Sequence, residues 1–165
     1  MFKNPGAFAI LVGGGIGGAF DITYAIVFSS FRGVSATRVL QSVASGLLGR
    51  ASYEGGASTA ALGLGLHFLI ALIWATIFWF ACRRLPFLTQ RPVLAGLLYG
   101  IVIYAGMNLV VLPLSAMPPR ASFPPPVAII TGLAVHMLLI GLPIALAARK
   151  ATTLAVDKVA TLVAA

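Results

Sequence analysis

The chain has 165 residues, 60% of them apolar, and only 11 basic and 3 acidic side chains. A soluble domain carries roughly 25% charged residues because water must wet its surface, whereas this chain carries 8%. Its mean hydropathy is +1.05, and Cys82 is its single cysteine. These values exclude a soluble enzyme, a disordered chain and a disulfide scaffold. The net charge of +8 would suit a nucleic-acid partner if the bases formed a stripe. They stand instead singly or in pairs beside apolar runs, the pattern of topology signals and lipid-headgroup contacts. Membrane lipids, and no nucleic acid, are therefore the expected partners.

Four runs are long enough to cross ~30 Å of hydrocarbon as helices. They cover residues 7–28, 60–82, 93–115 and 127–148. The first begins near the N-terminus behind Lys3, but Asp21 interrupts it and no polar mature domain comes after it. It reads as an uncleaved span rather than a signal peptide. Pro113 and Pro143 lie inside the third and fourth runs. They predict kinks, because a membrane helix tolerates proline where its neighbours re-satisfy the freed carbonyl.

An even number of spans puts both termini on one side. The tails and the loop between spans two and three hold Lys3, Arg83, Arg84, Arg91, Arg149, Lys150 and Lys158. The other two loops hold Arg32, Arg38, Arg50 and Arg120. Positive charge favours the cytoplasm, so both termini are expected there, with residues 150–165 as a tail behind one domain of residues 1–149.

Within the first long loop, Val39, Leu40, Val43, Ala44, Leu47 and Leu48 recur at helical spacing, with Arg38, Gln41, Ser42 and Ser45 largely opposite. Ser35 is a candidate N-cap, and Gly46 or Gly49 a candidate end. The pattern predicts a short amphipathic helix on the outer membrane interface. A lid over the bundle would have the same sequence. Residues 117–126 read as a stiff, polyproline-like connector.

The polar residues inside the spans carry the most information. Counted from the outer span ends, Asp21, His67, Asn108 and His136 all fall roughly 10–14 Å deep. Each shares a helix face with small residues: Gly14 and Gly18, Gly63, Gly96 and Gly100, and Gly132 respectively. Small residues mark faces where membrane helices approach closely, so the four polar side chains are expected to meet inside the bundle. Tyr24, Tyr104, Met107 and Met137 are candidates for a surrounding shell.

This layer admits several readings. Asp21 would lock helices together by bonding His67, His136 or Tyr24. Alternatively, Asp and His at this depth are material for a proton or ion relay. His67 and His136 on different helices would ligate a haem b, with Asp21 orienting one imidazole. Copper held by the two histidines, Met107 and Met137 is a further possibility.

The glycines at 13, 15 and 18 match a dinucleotide fingerprint, but no strand or βαβ unit surrounds them. There is no nucleophile–base set. The aromatics Trp74, Trp79 and Phe80 are expected at the lipid or the interface.

The order of motifs is distinctive as a set. Residues 38–50 (RVLQSVASGLLGR) are followed by Gly55-Gly56, His67-Phe68, Tyr104, Met107-Asn108 and Pro113-Leu114-Ser115. His136 and Gly141-Leu142-Pro143 complete it. This resembles an uncharacterised family of small four-span bacterial inner-membrane proteins, and more distantly the YagU-type membrane proteins. The resemblance covers about residues 7–149 and implies a bacterial inner-membrane location. YagU-type proteins are similar in carrying one histidine in one span and another in the last, matching His67 and His136, but they lack the 40–50 stretch in this form. No catalytic or binding residues come with it.

The sequence thus predicts an all-α polytopic membrane protein with four spans and one interfacial helix. Without a catalytic domain, and with glycine faces that invite helix partners, the expected role is a structural or accessory component that self-associates or joins a larger membrane complex. The alternatives are a haem or metal protein and a proton- or ion-coupled transporter or channel.

Overall fold

The computed structural model describes residues 4–119 and 125–163, with side chains up to Val156. Lys3, Arg120 and the side chain of Lys158, which bear on sidedness, lie outside the described residues, as do residues 120–124 of the proline-rich connector. The described chain is helical throughout. Four of its helices are long and apolar enough to cross a membrane.

The first span is α1 (Pro5–Ser30). It starts earlier than the apolar run because Asn4 caps it, accepting from the amides of Gly6 at 2.8 Å and Ala7 at 3.4 Å. Pro5 then fills the first helical position, where no amide is needed. A short helix, α2 (Ala36–Leu48), is capped by Ser35 and ended by Gly49 at φ +60°. A 3-10 turn over Gly49–Tyr53 leads into the second span, α3 (Gly56–Cys82). A single turn, α4 (Phe87–Gln90), precedes the third span.

The third and fourth spans are each interrupted by a π turn. The third runs as α5 (Pro92–Gly106), a π turn over Met107–Val111 and α6 (Leu112–Leu114). The fourth runs as α7 (Pro126–Val135), a π turn over His136–Gly141 and α8 (Leu142–Val163). Each π turn ends just before a proline. A proline ring clashes with the carbonyl four residues back and offers it no amide. The helix widens instead, and the amides of Leu112 and Leu142 donate five residues back, to the carbonyls of Met107 and Met137. α8 continues past the expected span end, and Ala151 is fully buried.

Span one packs between spans two and four, and span three packs against span four. The glycines of α1 form two stripes. Gly14 and Gly18 face Ala71, Ala75 and Phe68 of α3, whereas Gly13 and Gly17 face Ile144, Ala147 and Ile140 of span four. Spans two and three meet through aromatic side chains. Tyr99 packs 4.7 Å from the Phe78 ring and donates its hydroxyl to the Trp74 carbonyl at 2.7 Å. Trp74 thus turns into the bundle, contrary to its expected place at the lipid. A Tyr99→Phe substitution should lower stability by about 1 kcal/mol, roughly 2–4 °C in melting temperature. Thermal unfolding in detergent reads it out, and an unchanged midpoint would show that the bond adds nothing.

The two halves of the bundle differ. Towards the termini, Ala9, Ala75, Phe78, Ala95, Ile144 and Ala148 form a close-packed core. Towards α2 the spans enclose open space. All four spans leave a belt of large apolar side chains on the outside, among them Leu11, Leu69, Leu109 and Ile130.

Candidate functional site

The space left in the α2 half is a cavity of about 760 Å³ reached by residues of all four spans and α2. Its size falls within the range of small-molecule pockets. Asp21, His67, Asn108 and His136 all line it, with Tyr104 and Met107 beside them. Trp74, Ile103 and Ile140 also line it, and Ile103 and Ile140 belong to the close-packed core as well. Val39, Ser42, Val43 and Gly46 of α2 border it, and Arg32 lines it from an exposed position.

α2 is fastened across this end of the bundle by backbone contacts. At Gly63 the α3 backbone lies directly against the Leu40 carbonyl, too close for any side chain. Gln41 donates through Nε2 to the Gly56 carbonyl at 3.1 Å and to Thr59 Oγ1 at 3.4 Å. Arg38 donates to the Tyr53 carbonyl at 3.1 Å and stacks over the Tyr53 ring at 4.3 Å. The amide of Ala116 donates to the Gly46 carbonyl at 2.8 Å, tying α2 to the end of span three. Gly63 therefore seats α2, and no second span packs there. The burial of α2 follows its apolar periodicity in part: Val39 and Ala44 are buried, but so are Gln41 and Ser45, while Leu47 and Leu48 are exposed.

The four polar side chains share the cavity without hydrogen-bonding one another. The expected lock from Asp21 to His67, His136 or Tyr24 is absent among the described residues: Asp21 has no hydrogen bond or ion pair there. His67 Nε2–H donates to the Gly18 carbonyl of α1 at 2.8 Å. His136 Nδ1–H donates to the Gly132 carbonyl at 2.8 Å, and Asn108 Nδ2 donates to the Tyr104 carbonyl at 2.9 Å. A carbonyl cannot donate, which assigns the hydrogen in each imidazole. The Tyr104 ring meets the His136 ring edge-on at 5.3 Å, and the absent side chain of Gly132 makes room for it.

Two expected members of the shell lie elsewhere. Tyr24 stacks on Phe28, and its buried hydroxyl finds no partner among the described residues. Met137 meets Gly100 through its backbone at the crossing of spans three and four.

These positions bear directly on a cofactor. Bis-histidine ligation needs an accessible nitrogen from each ring at one iron. His67 has committed Nε2 to Gly18, and its remaining Nδ1 stands beside its own Cβ, where a flat macrocycle would collide. The pair does not fit haem b. The copper set fails because Met137 lies outside the cavity, and no three His, Cys, Asp or Glu side chains converge among the described residues. Purified protein, oxidised and then reduced with dithionite, should show no haem absorption. A haem band lost on His136→Ala would overturn this.

The fold and site thus define a helical protein, four of whose helices are long and apolar enough to cross a membrane, with a largely apolar cavity that holds four polar side chains beneath a short crossing helix. No family model, curated protein or solved structure matches the chain significantly.

Proposed function

We propose that this is an integral membrane protein that binds a small amphipathic molecule in the cavity between its spans. One observation carries the reading: four polar side chains, including a carboxylate unpaired among the described residues, line one cavity instead of bonding one another, and in this reading the cavity lies at membrane depth. Ionisable residues at such depth are costly and mark functional sites, and a pure helix lock would have consumed them in mutual bonds. Of the hydrogen bonds these four side chains make among the described residues, the one from His67 to Gly18 joins two spans.

The cavity is bordered by α2 at one end and by the close-packed core at the other, an arrangement that suits a binding pocket better than a channel. The exposed apolar belt is covered by membrane lipid in this reading, and α2 lies at the outer interface. In this reading the motif resemblance suggests a bacterial inner membrane, and the distribution of positive charge puts both termini in the cytoplasm. Self-association or membership of a larger assembly rested on the glycine faces. Gly13, Gly14, Gly17, Gly18, Gly63, Gly96, Gly100 and Gly141 all pack inside this chain, so those faces do not favour an outside partner.

Trp74 provides the test, because it lines the cavity and Trp79 is the only other tryptophan. In a Trp79→Phe background, bromohexanol, a neutral amphiphile with a quenching atom, should reduce Trp74 fluorescence saturably. Adding Ala25→Phe, one turn from Asp21 on the cavity face of α1, should abolish saturation. Linear quenching, identical with and without Ala25→Phe, would overturn the reading.

A further inference from the structure

We infer that the molecule held in this cavity is an organic cation with several N–H donors, a primary ammonium on a short apolar body, whose charged end sits among Asp21, His67, Asn108 and His136. The inference rests on the cavity being a binding site and identifies its ligand class by an account of donors and acceptors.

At this level the protein's own backbone has taken one hydrogen from each of three side chains. His67 gives its N–H to Gly18, His136 its N–H to Gly132, and Asn108 one amide hydrogen to Tyr104. What remains for a ligand is mostly lone pairs: both oxygens of Asp21, Nδ1 of His67, Nε2 of His136 and Oδ1 of Asn108. The remaining donors in the layer are the Tyr104 hydroxyl and the second amide hydrogen of Asn108. A ring dominated by acceptors and holding one negative charge complements a positive group with several hydrogens. A primary ammonium offers three.

Charge points the same way. Asp21 has no cationic partner among the described residues. Among the described residues the cation lining the cavity is Arg32, which stands in the turn after α1 and is exposed where solvent screens it. A carboxylate in a low-dielectric surround draws a compensating positive charge far more strongly than an exposed guanidinium draws an anion. The apolar part of the ligand would lie along Ile22, Ile70, Ile103 and Ile140, which line the same space.

Four probes of equal chain length separate the possibilities in the Trp79→Phe protein: bromohexylammonium, its trimethylated quaternary form, bromohexanol and bromohexanoate. The primary ammonium should bind tightest, about tenfold or more tighter than the quaternary form, which keeps the charge but has no N–H to donate. Asp21→Asn, which keeps shape and removes charge, should weaken the primary ammonium by roughly thirtyfold and bromohexanol by no more than about threefold. Saturable bromohexanol binding by the variant also shows that it is folded. If bromohexanol or bromohexanoate bound as tightly as the ammonium, the ligand class would be wrong while the cavity reading stood. Preference for the quaternary form would point to charge and apolar contact alone and would also overturn the inference. If none of the four quenched saturably, the cavity reading itself would fall.

Discussion

Replacing Gly100 by alanine should be among the most damaging small substitutions in this chain, lowering stability by about 3 kcal/mol or more, roughly 10 °C in melting temperature. At Gly100 a methyl group would overlap the backbone of Met137 and the carbonyl of His136. Gly141 faces it from the other side, and a methyl there would overlap the Gly96 carbonyl and stand 2.6 Å from the Gly100 amide nitrogen. At Gly96 it would stand 2.7 Å from the Leu142 Cα. The obstacle at every point is main chain, which cannot swing aside as the end of a side chain does. Spans three and four would have to separate, taking the His136 π turn and one wall of the cavity with them. Gly15→Ala and Gly65→Ala supply the contrast: both sit in helices with nothing within 4 Å of a new methyl. They should be neutral or stabilising by up to about 1 kcal/mol, the ordinary gain of alanine over glycine in a helix. Thermal unfolding of the three proteins in one detergent decides it. Equal midpoints for Gly100→Ala and Gly15→Ala would refute the close crossing.

Much of this arrangement was legible because helices rise uniformly. Counting residues from the span ends put Asp21, His67, Asn108 and His136 at similar depth, and helical spacing from nearby glycines put them on inward faces. The structure lines one cavity with all four. Their bonding there was not legible. An Asp and two histidines at one level suggest mutual bonds, yet each donor found a backbone carbonyl first. Two of those carbonyls lie one helical turn away in the same span, and no count of depth reveals such local competition. The prolines predicted kinks, and the chain carries a π turn ahead of each, in which the amides of Leu112 and Leu142 reach five residues back to Met107 and Met137. Each π turn adds a residue to its turn and so rotates the remainder of its span by up to about 100°. Period-based face assignments therefore drift beyond those turns. Met107 lines the cavity, whereas Met137 meets Gly100 at the crossing of spans three and four. The aromatic joint between spans two and three had no sequence signal, since Trp74 and Tyr99 would look the same facing lipid. For α2 the period was right, but the buried face is turned from the apolar one: Val39 and Ala44 are buried with Gln41 and Ser45, while Leu47 and Leu48 are exposed. Gln41 turns inward because it bonds the backbone at Gly56.

The seating of α2 underlies the second large effect. Gly63→Val should detach α2 while leaving the four spans assembled. Any side chain at position 63 would overlap the Leu40 carbonyl and crowd the Ala44 amide, so the two helices cannot keep their contact. The spans do not depend on that contact: α1 meets α3 through Gly14 and Gly18, and spans three and four cross at Gly96, Gly100 and Gly141. Lifting α2 breaks the bonds from Gln41 to Gly56 and Thr59 and removes the side chains that border one end of the cavity. Cysteine chemistry measures this directly. In a Cys82→Ser background, Ser45→Cys places a thiol where the native side chain is fully buried. It should react slowly with a water-soluble maleimide, and about tenfold faster or more once Gly63→Val is added, as expected when a local opening loses more than a kcal/mol of its cost. The melting temperature should fall less than in Gly100→Ala, because the core near the termini is untouched. The primary ammonium should bind more weakly and exchange faster, since its pocket has lost that border. Unchanged maleimide reactivity would mean that α2 is not held at Gly63. Complete unfolding of the variant would mean that α2 is part of the bundle's own stability rather than a cover laid across it.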